Sequence, residues 1–203
     1  WGMRPCVARR AGRPVRLWGR DAEVTTTIDE GRGNPRYLPD LALPPGIAAT
    51  TDMAAALDGA ETVLIVCPAQ AMRAVAGALA PHLPPGAPVA LCAKGVERES
   101  LKLMTEVAAE QLPGARLAVL SGPTFAAEVA RGLPTGVILA TADDEIGEKL
   151  SQAIGTPTFR AYRSNDLIGA EIGGAVKNVL AVACGIAEGR KLGDNARAAL
   201  ITR

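Results

Sequence analysis

The strongest constraint on the fold is an alternation of two kinds of segment. Short apolar runs rich in β-branched residues alternate with Ala-rich segments in which apolar residues recur every three or four positions. The first pattern is typical of buried strands and the second of helices that cover a sheet. The predicted strands are residues 15–18, 62–66, 88–92, 117–120 and 136–140, and the predicted helices are 51–57, 69–83, 100–111, 124–131 and 144–153. This order predicts a doubly wound, mostly parallel α/β domain.

The pattern changes near residue 163. Residues 165–188 predict one long helix, apolar on nearly every face, with Asn165 as its N-cap. Because a helix that is apolar all round is normally buried, we expect this one to be buried and to open an all-α domain. We therefore divide the chain into domains at 1–163 and 164–203. The chain opens on Trp1-Gly2 without a preceding strand and closes without a Gly or Pro stop. We therefore expect both ends to be cut and the helical domain to continue beyond Arg203.

Charge and cysteine content limit the function classes. Lys and Arg number 22 against 21 Asp and Glu, and such a balance lacks the basic surface of a nucleic-acid binder. We expect a cytoplasmic protein with no nucleic-acid partner, no membrane span and no signal peptide. The four cysteines lie far apart and His82 is the one histidine, so we predict reduced thiols, no disulfide and no metal site.

Ligands of an open parallel sheet bind beyond the carboxyl ends of its strands. The residues that follow the predicted strands are Gly19-Arg20-Asp21, Cys67-Pro68, Ala93-Lys94-Gly95, Ser121-Gly122-Pro123-Thr124 and Thr141. We expect Pro123 to occupy the first turn of a helix whose free N–H groups bind phosphate, with Gly122 allowing close approach. A tight turn without a ligand is the alternative. Lys94 is predicted to contact a phosphate or cofactor, with a solvated loop lysine as the alternative.

Lys177 lies in the middle of the long apolar helix. Gly173, Gly174 and Ala181 at helical spacing leave room above its ammonium group, and Asn178 follows it. Burial there disfavours the charged form, which makes Lys177 a candidate general acid or base. The alternative is a lysine whose stem packs while its head reaches water. Asn178 could orient a substrate oxygen.

The first residues suggest a dinucleotide site. Gly2 could be the last glycine of a phosphate-binding turn, although one glycine is a weak signal. After the strand at 15–18, Arg20 suits the 2′-phosphate of NADP, while Asp21 suits the ribose hydroxyl of NAD. Both cofactors therefore remain open, with NADP favoured.

Several short strings occur in an order that is similar to one enzyme family. They are Trp1-Gly2, Val15-Arg-Leu-Trp-Gly-Arg20, Asn34-Pro-Arg-Tyr-Leu-Pro39, Ala93-Lys-Gly95, Ser121-Gly-Pro-Thr-Phe-Ala126, Gly132-Leu-Pro-Thr135, Gly173-Gly-Ala-Val-Lys-Asn178 and Asn195-Ala-Arg-Ala-Ala-Leu-Ile-Thr-Arg203. Almost end to end, the chain resembles the bacterial type of NAD(P)-dependent glycerol-3-phosphate dehydrogenase. The resemblance implies a Rossmann-like cofactor domain and a helical substrate domain.

The resemblance also implies a reaction and its residues. The family interconverts dihydroxyacetone phosphate and sn-glycerol 3-phosphate, which supplies phospholipid synthesis. Lys177 matches the catalytic lysine, which exchanges a proton with the C2 oxygen. The implied substrate contacts are Lys94, Gly122, Thr124, Lys177 and, from its position, Asn178. The implied cofactor contacts are Trp1, Arg20, Tyr37, Lys94 and Ala126, to which the glycine-turn argument adds Gly2. A homodimer is one option for the assembly.

Two departures from the family qualify this prediction. The family has a first strand and first glycines that we expect to precede Trp1, and an Asp and a Ser-Arg-Asn cluster that we expect to follow Arg203. We therefore expect the 203 residues alone to have little or no activity. Pro5 is also expected to disturb the first helix. The alternatives are a related hydroxyacid dehydrogenase with the same two domains and a nucleotide-binding module without catalysis.

Overall fold

The structure is a computed structural model that describes residues 3–39 and 41–202. The strands are β1 (Val15–Trp18), β2 (Ile47–Thr50), β3 (Val63–Ile65), β4 (Val89–Leu91), β5 (Leu117–Ser121), β6 (Thr135–Ala140) and β7 (Phe159–Ser164). The helices are α1 (Met3–Arg10), α2 (Ala22–Asp29), α3 (Met53–Leu57), α4 (Met72–Leu79), α5 (Met104–Gln111), α6 (Ala126–Arg131), α7 (Asp144–Ile154), α8 (Leu167–Gly189) and α9 (Asp194–Thr202). Short 3₁₀ turns, Ala69–Ala71 and Ala80–His82, flank α4.

The strands form two sheets. β1 and β2 pair in parallel, and five further strands lie in the order β3-β4-β5-β6-β7. All neighbours run parallel except β5 and β6, which are antiparallel. Within the described residues, β1 pairs only with β2 and β3 only with β4, so each sheet has an unpaired edge there. The predicted class, a doubly wound α/β domain followed by a helical segment, is confirmed.

Two apolar layers cover the five-stranded sheet. On one face Leu120 and Leu139 pack with Ile146, Leu150 and neighbouring residues. On the other face the side chains of β3 and β4 pack against α4 and α5. Ala90 and Val89 in β4 are fully buried on opposite faces, which explains why this strand reads as a continuous apolar run.

Several elements escaped the sequence prediction. β2 consists of Ile47-Ala-Ala-Thr50 and lacks a β-branched run, while β7 is an edge strand with exposed Arg160 and Arg163. Helix α2 carries three consecutive threonines, which lower helix propensity. It forms because Asp21 caps its first turn, with the carboxylate accepting a hydrogen bond from Val24 N.

The expected disturbance by Pro5 was wrong. Helix α1 spans Met3–Arg10, and Pro5 lies in its first turn, where a backbone N–H has no partner within the helix. Cys6 and Val7 follow it and are buried. The segment therefore docks through two apolar residues even though it carries several arginines.

The expected burial of the long helix was also wrong. In α8 the buried residues are Glu171, Gly174 and Ala187, whereas Val179 is 68% exposed. The other exposed large apolar residues of α8 are Ile168, Ile172, Val176, Val182 and Ile186. The N-cap is Asp166, which accepts a hydrogen bond from Gly169 N at 2.7 Å, and not Asn165. By length and a mean hydropathy of 1.5 alone, α8 is the candidate for a membrane span among the described residues.

Candidate active site

The carboxyl ends of β4 and β5 place Lys94 beside the Ser121–Gly122 turn. The two strands run parallel with Leu91 opposite Val119, so the residues that follow them meet at one edge of the sheet. Lys94 Nζ donates a hydrogen bond of 2.6 Å to the carbonyl oxygen of Gly122. The structure thus brings together two of the predicted substrate-binding residues.

The loop that follows Lys94 is fixed to the neighbouring helices. Gly95 has φ +150°, and a Cβ there would lie 2.8 Å from the Cβ of Ala69. Gln70 Nε2 donates to the carbonyl oxygen of Val96 at 2.8 Å. Arg73 forms two hydrogen bonds of 2.9 and 2.7 Å with the carboxylate of Glu97. These contacts hold the loop, and therefore the backbone of Lys94, against α4.

The arginine contact changes the acidity of Glu97. Hydrogen bonds from Arg73 and then from Ser100 stabilise the carboxylate, and they lower the pKa of Glu97 from 4.5 to about 2. Arg73 also binds Glu110 on α5 at 2.7 Å, and Lys102 pairs with the same carboxylate. The network therefore joins the loop to both helices.

Gly122 follows directly after β5 and packs closely against the backbone of β6. It has φ +156°, and a Cβ there would lie 3.1 Å from Val137 Cα in β6. The predicted position of Pro123 in a helix was wrong, because α6 begins at Ala126 with Phe125 as its N-cap and has six residues. The helix N-terminus that was expected to bind phosphate is therefore not adjacent to Gly122. Thr124 lies between the two and is half-buried.

Thr141 does not belong to this edge. Because β6 runs antiparallel to β5, the end of β6 lies beside the beginning of β5. The hydroxyl of Thr141 donates to the carbonyl oxygen of Leu117 at 3.1 Å. The expectation that placed Thr141 in the crevice was wrong. Instead, the start of β6, near Gly136, lies beside Gly122.

Helix α8 contacts this edge through Gly174. A Cβ on Gly174 would lie 2.8 Å from Ser121 Oγ and 3.4 Å from Lys94 Cγ. Lys177 follows three residues later, about one helical turn. Both Lys177 and Asn178 are exposed, so the expected burial of Lys177 was wrong for this chain. Lys177 nevertheless belongs to the helix that contacts this edge, about one turn beyond the contact residue Gly174.

Glu171 forms a second contact of α8, which the sequence reading did not single out. Its side chain is 5% exposed. One carboxylate oxygen accepts a hydrogen bond of 2.9 Å from Thr105 N, and the other accepts one of 2.6 Å from Thr105 Oγ1. Thr105 lies in the first turn of α5. The signal in the sequence is a lone acid in the apolar part of a helix.

The end of β1 holds the residues predicted for the cofactor. Asp21 caps α2, and its other oxygen pairs with Arg36 at 2.5 Å. The guanidinium of Arg36 lies 5.5 Å from the ring centre of Tyr37, which is half exposed. Arg20 is exposed next to this pair. The predicted contacts Trp1 and Gly2 lie outside the described residues.

Cysteines and other metal-ligand types give no further site. Within residues 3–39 and 41–202, no three His, Cys, Asp or Glu side chains come together as a metal site would require. Burial raises the pKa of Cys67 to about 11, so this group is a thiol at neutral pH.

Family models match both parts of the chain. The NAD-dependent glycerol-3-phosphate dehydrogenase N-terminus matches residues 2–147, and the C-terminus of the same family matches residues 166–203. A relative from Rhodospirillum rubrum, named glycerol-3-phosphate dehydrogenase [NAD(P)+], is 60% identical over 97% of this chain. One of the same name from Paramagnetospirillum magneticum is 57% identical over the whole chain and 74% of the relative.

A solved structure has the same arrangement. Glycerol-3-phosphate dehydrogenase from Coxiella burnetii superposes with a TM-score of 0.87 at 39% identity, over 98% of this chain and 61% of that one. The present chain spans 56% of the length of the Rhodospirillum rubrum relative. With 146 of its 203 residues matched by the N-terminal model alone, the chain belongs to the NAD-dependent glycerol-3-phosphate dehydrogenase family.

Proposed function

We propose that this chain, within the complete protein, interconverts dihydroxyacetone phosphate and sn-glycerol 3-phosphate with NAD(P)H and NAD(P)+. The observation that carries the proposal is the junction at the sheet edge. There Lys94 donates to Gly122 O while Gly174 of the Lys177 helix packs against Lys94 and Ser121. The relatives of this chain are named glycerol-3-phosphate dehydrogenase [NAD(P)+], which also supports the proposal.

Lys94 and the turn after β5 are proposed to hold the substrate. Lys94 places a positive charge beside Gly122, and Thr124 adds a hydroxyl two residues later. A phosphate monoester requires such local positive charge and donors, which a chain with a net charge of +1 provides only at particular points. Asn178, next to Lys177, is proposed to orient a substrate oxygen.

Lys177 is proposed to be the general acid. During reduction its ammonium group donates a proton to the C2 oxygen, and during oxidation its amine takes that proton back. A bound nicotinamide supplies or accepts the hydride at C2. Because Lys177 is exposed on this chain, the enclosed surroundings that favour such proton transfer depend on further protein surface and on substrate.

NADP is proposed as the favoured cofactor, with contacts to Arg20, Tyr37, Lys94 and Ala126, and to Trp1 and Gly2 outside the described residues. Asp21 would suit the ribose hydroxyl of NAD, but it caps α2 and pairs with Arg36. Exposed Arg20 beside it suits a 2′-phosphate.

Arg20→Ala should weaken NADP binding by about 10-fold to 100-fold and NAD binding much less, since hydrogen bonds to charged groups contribute about 1.5–3 kcal/mol. Calorimetry with both cofactors measures this, and equal losses would contradict it.

The reaction is tested in a completed chain, in which residues 1–203 are joined to the flanking segments of the Rhodospirillum rubrum relative. We expect dihydroxyacetone phosphate-dependent oxidation of NADPH by the completed chain and little or none by residues 1–203 alone. Family-like turnover by residues 1–203 would contradict the second expectation. Turnover of carboxylate ketones in place of phosphorylated ones would favour a hydroxyacid dehydrogenase, and cofactor binding without turnover would favour a nucleotide-binding module.

The remaining predictions belong to the same proposal. They are a cofactor domain over residues 1–163, the beginning of a substrate domain over 164–203, a cytoplasmic location, a homodimer as one option and supply of glycerol 3-phosphate for phospholipid synthesis. The change from alternating strands and helices to α8 supports the division into domains.

A further inference from the structure

We propose that Glu171 is a positioning residue that sets the location of Lys177 relative to Lys94. This inference rests on the function proposed above and concerns how the segments that carry the two lysines are held at a fixed separation. Glu171 bonds to Thr105, and Thr105 lies on the helix that follows the Lys94 loop. The contact therefore connects α8, which carries Lys177, to the helix that follows the Lys94 loop.

The carboxylate of Glu171 supplies a hydrogen-bond acceptor that α5 lacks. The N-cap of α5 is Leu103, whose side chain has no acceptor, and Glu106 reaches back only to Leu103 N at 2.8 Å. The N–H of Thr105, in the first turn, has no partner within the helix. Glu171 accepts from that N–H and from the Thr105 hydroxyl, and a carboxylate is stabilised at a helix N-terminus.

Such a buried carboxylate fixes position better than apolar packing does. Glu171 is 5% exposed, and its oxygens accept directed bonds of 2.9 and 2.6 Å. A sliding movement of α8 would break them and leave a charge buried without partners, which is costly. The large apolar residues of α8 are mostly exposed and supply little of this restraint.

Gly174 supplies the second point of contact. It lies one turn after Glu171 against Ser121 Oγ and Lys94, at a separation that leaves no space for a Cβ. Lys177 lies one further turn along the same rigid helix. Two points of contact limit both the rotation and the translation of a helix, so the backbone of Lys177 inherits its position from them. Catalysis is sensitive to this, because a displacement of about 1 Å can cost about 100-fold in rate.

Thr105 offers a matched pair of variants for the kinetic test in the completed chain. Thr105→Val keeps the side-chain shape and loses the hydroxyl, whereas Thr105→Ser keeps the hydroxyl. We expect Thr105→Val and Glu171→Gln each to lower kcat by about 10-fold to 100-fold with the KM for NADPH nearly unchanged. Thr105→Ser should retain most of the activity, and the double variant should be little worse than either single one.

Hydrogen exchange on residues 1–203 provides a readout without catalysis. We expect Glu171→Gln to increase exchange several-fold in the first half of α8 and in the first turn of α5, while α7 is unchanged. If Thr105→Val and Glu171→Gln lower the Tm but leave kcat unchanged, Glu171 has a purely structural role and the proposal is overturned. If the wild-type completed chain has no turnover, the proposed function fails, and unchanged exchange in the variant would then separately overturn the positioning role.

Discussion

Helices α7 and α8 show how differently the two parts of the chain are stabilised. In α7 the apolar residues Ile146, Leu150 and Ile154 recur every four positions, and all three are buried against the sheet. In α8 the apolar residues cover most of the surface, and Val179 and Ile186 are 68% and 58% exposed. The α/β region therefore carries its own core, whereas α8 is held through small and polar contacts. We expect truncation of large apolar side chains to lower stability in α7 but not in α8, and substitution of Lys177 in α8 to alter activity.

The largest expected effect is on the rate of the completed chain. Lys177→Ala should lower kcat by about 10²-fold to 10⁴-fold, the range typical of a lost general acid. Cofactor affinity should change little. The free energy of unfolding of residues 1–203 should also change little, because Lys177 is exposed. Lys149→Ala, an exposed lysine on α7, is the control and should leave both rate and cofactor binding unchanged. An unchanged kcat for Lys177→Ala would remove it from the catalytic role.

The second prediction compares one substitution in the two helices. Ile146→Ala in α7 should lower the free energy of unfolding by about 2–5 kcal/mol, because Ile146 is 1% exposed in the core. Ile186→Ala in α8 should change it by less than about 0.5 kcal/mol, because that side chain is largely in water. Urea denaturation of residues 1–203 measures both. Similar losses for the two variants would show that α8 is buried in solution and would break the contrast.

The sequence predicts the strands of the α/β region better than the surroundings of α8, because burial on both faces leaves a clear hydropathy pattern. Strands β4 and β5 are buried on both faces and give apolar runs, so the predicted bounds fall within a residue of the observed ones. Hydropathy carries no information on strand direction, which is why Thr141 was assigned to the wrong edge. The apolar surface of α8 indicates that it needs a covering surface and does not indicate where that surface is. Glu171 was missed because one acid in an apolar helix has no periodicity.

Adjacent glycines in α8 provide a finer test of how closely it touches the α/β region. A Cβ on Gly173 meets nothing within 4 Å, so Gly173→Ala should stabilise residues 1–203 by about 0.5–1 kcal/mol through helix propensity. Gly174→Ala gains the same propensity, but its Cβ would lie 2.8 Å from Ser121 Oγ, and the side chain or the helix must move. We expect Gly174→Ala to unfold at a lower urea concentration than Gly173→Ala. The reverse order would show that α8 does not rest on Ser121.

The smallest expected effect concerns the loop that follows Lys94 and is bound to α4 through Arg73. Because Arg73 lowers the pKa of Glu97 from 4.5 to about 2, the folded state favours the carboxylate more than the unfolded state does. The stabilisation is fully present above pH 4.5 and is lost as the pH falls through about 2. Glu97→Gln should therefore lower the Tm at neutral pH, with a difference from wild type that shrinks progressively in acid. Glu99→Gln, an exposed neighbour in the same loop, is the control. A Tm difference that stays constant down to pH 2 would mean that packing, and not the ion pair, holds this loop to the α/β region.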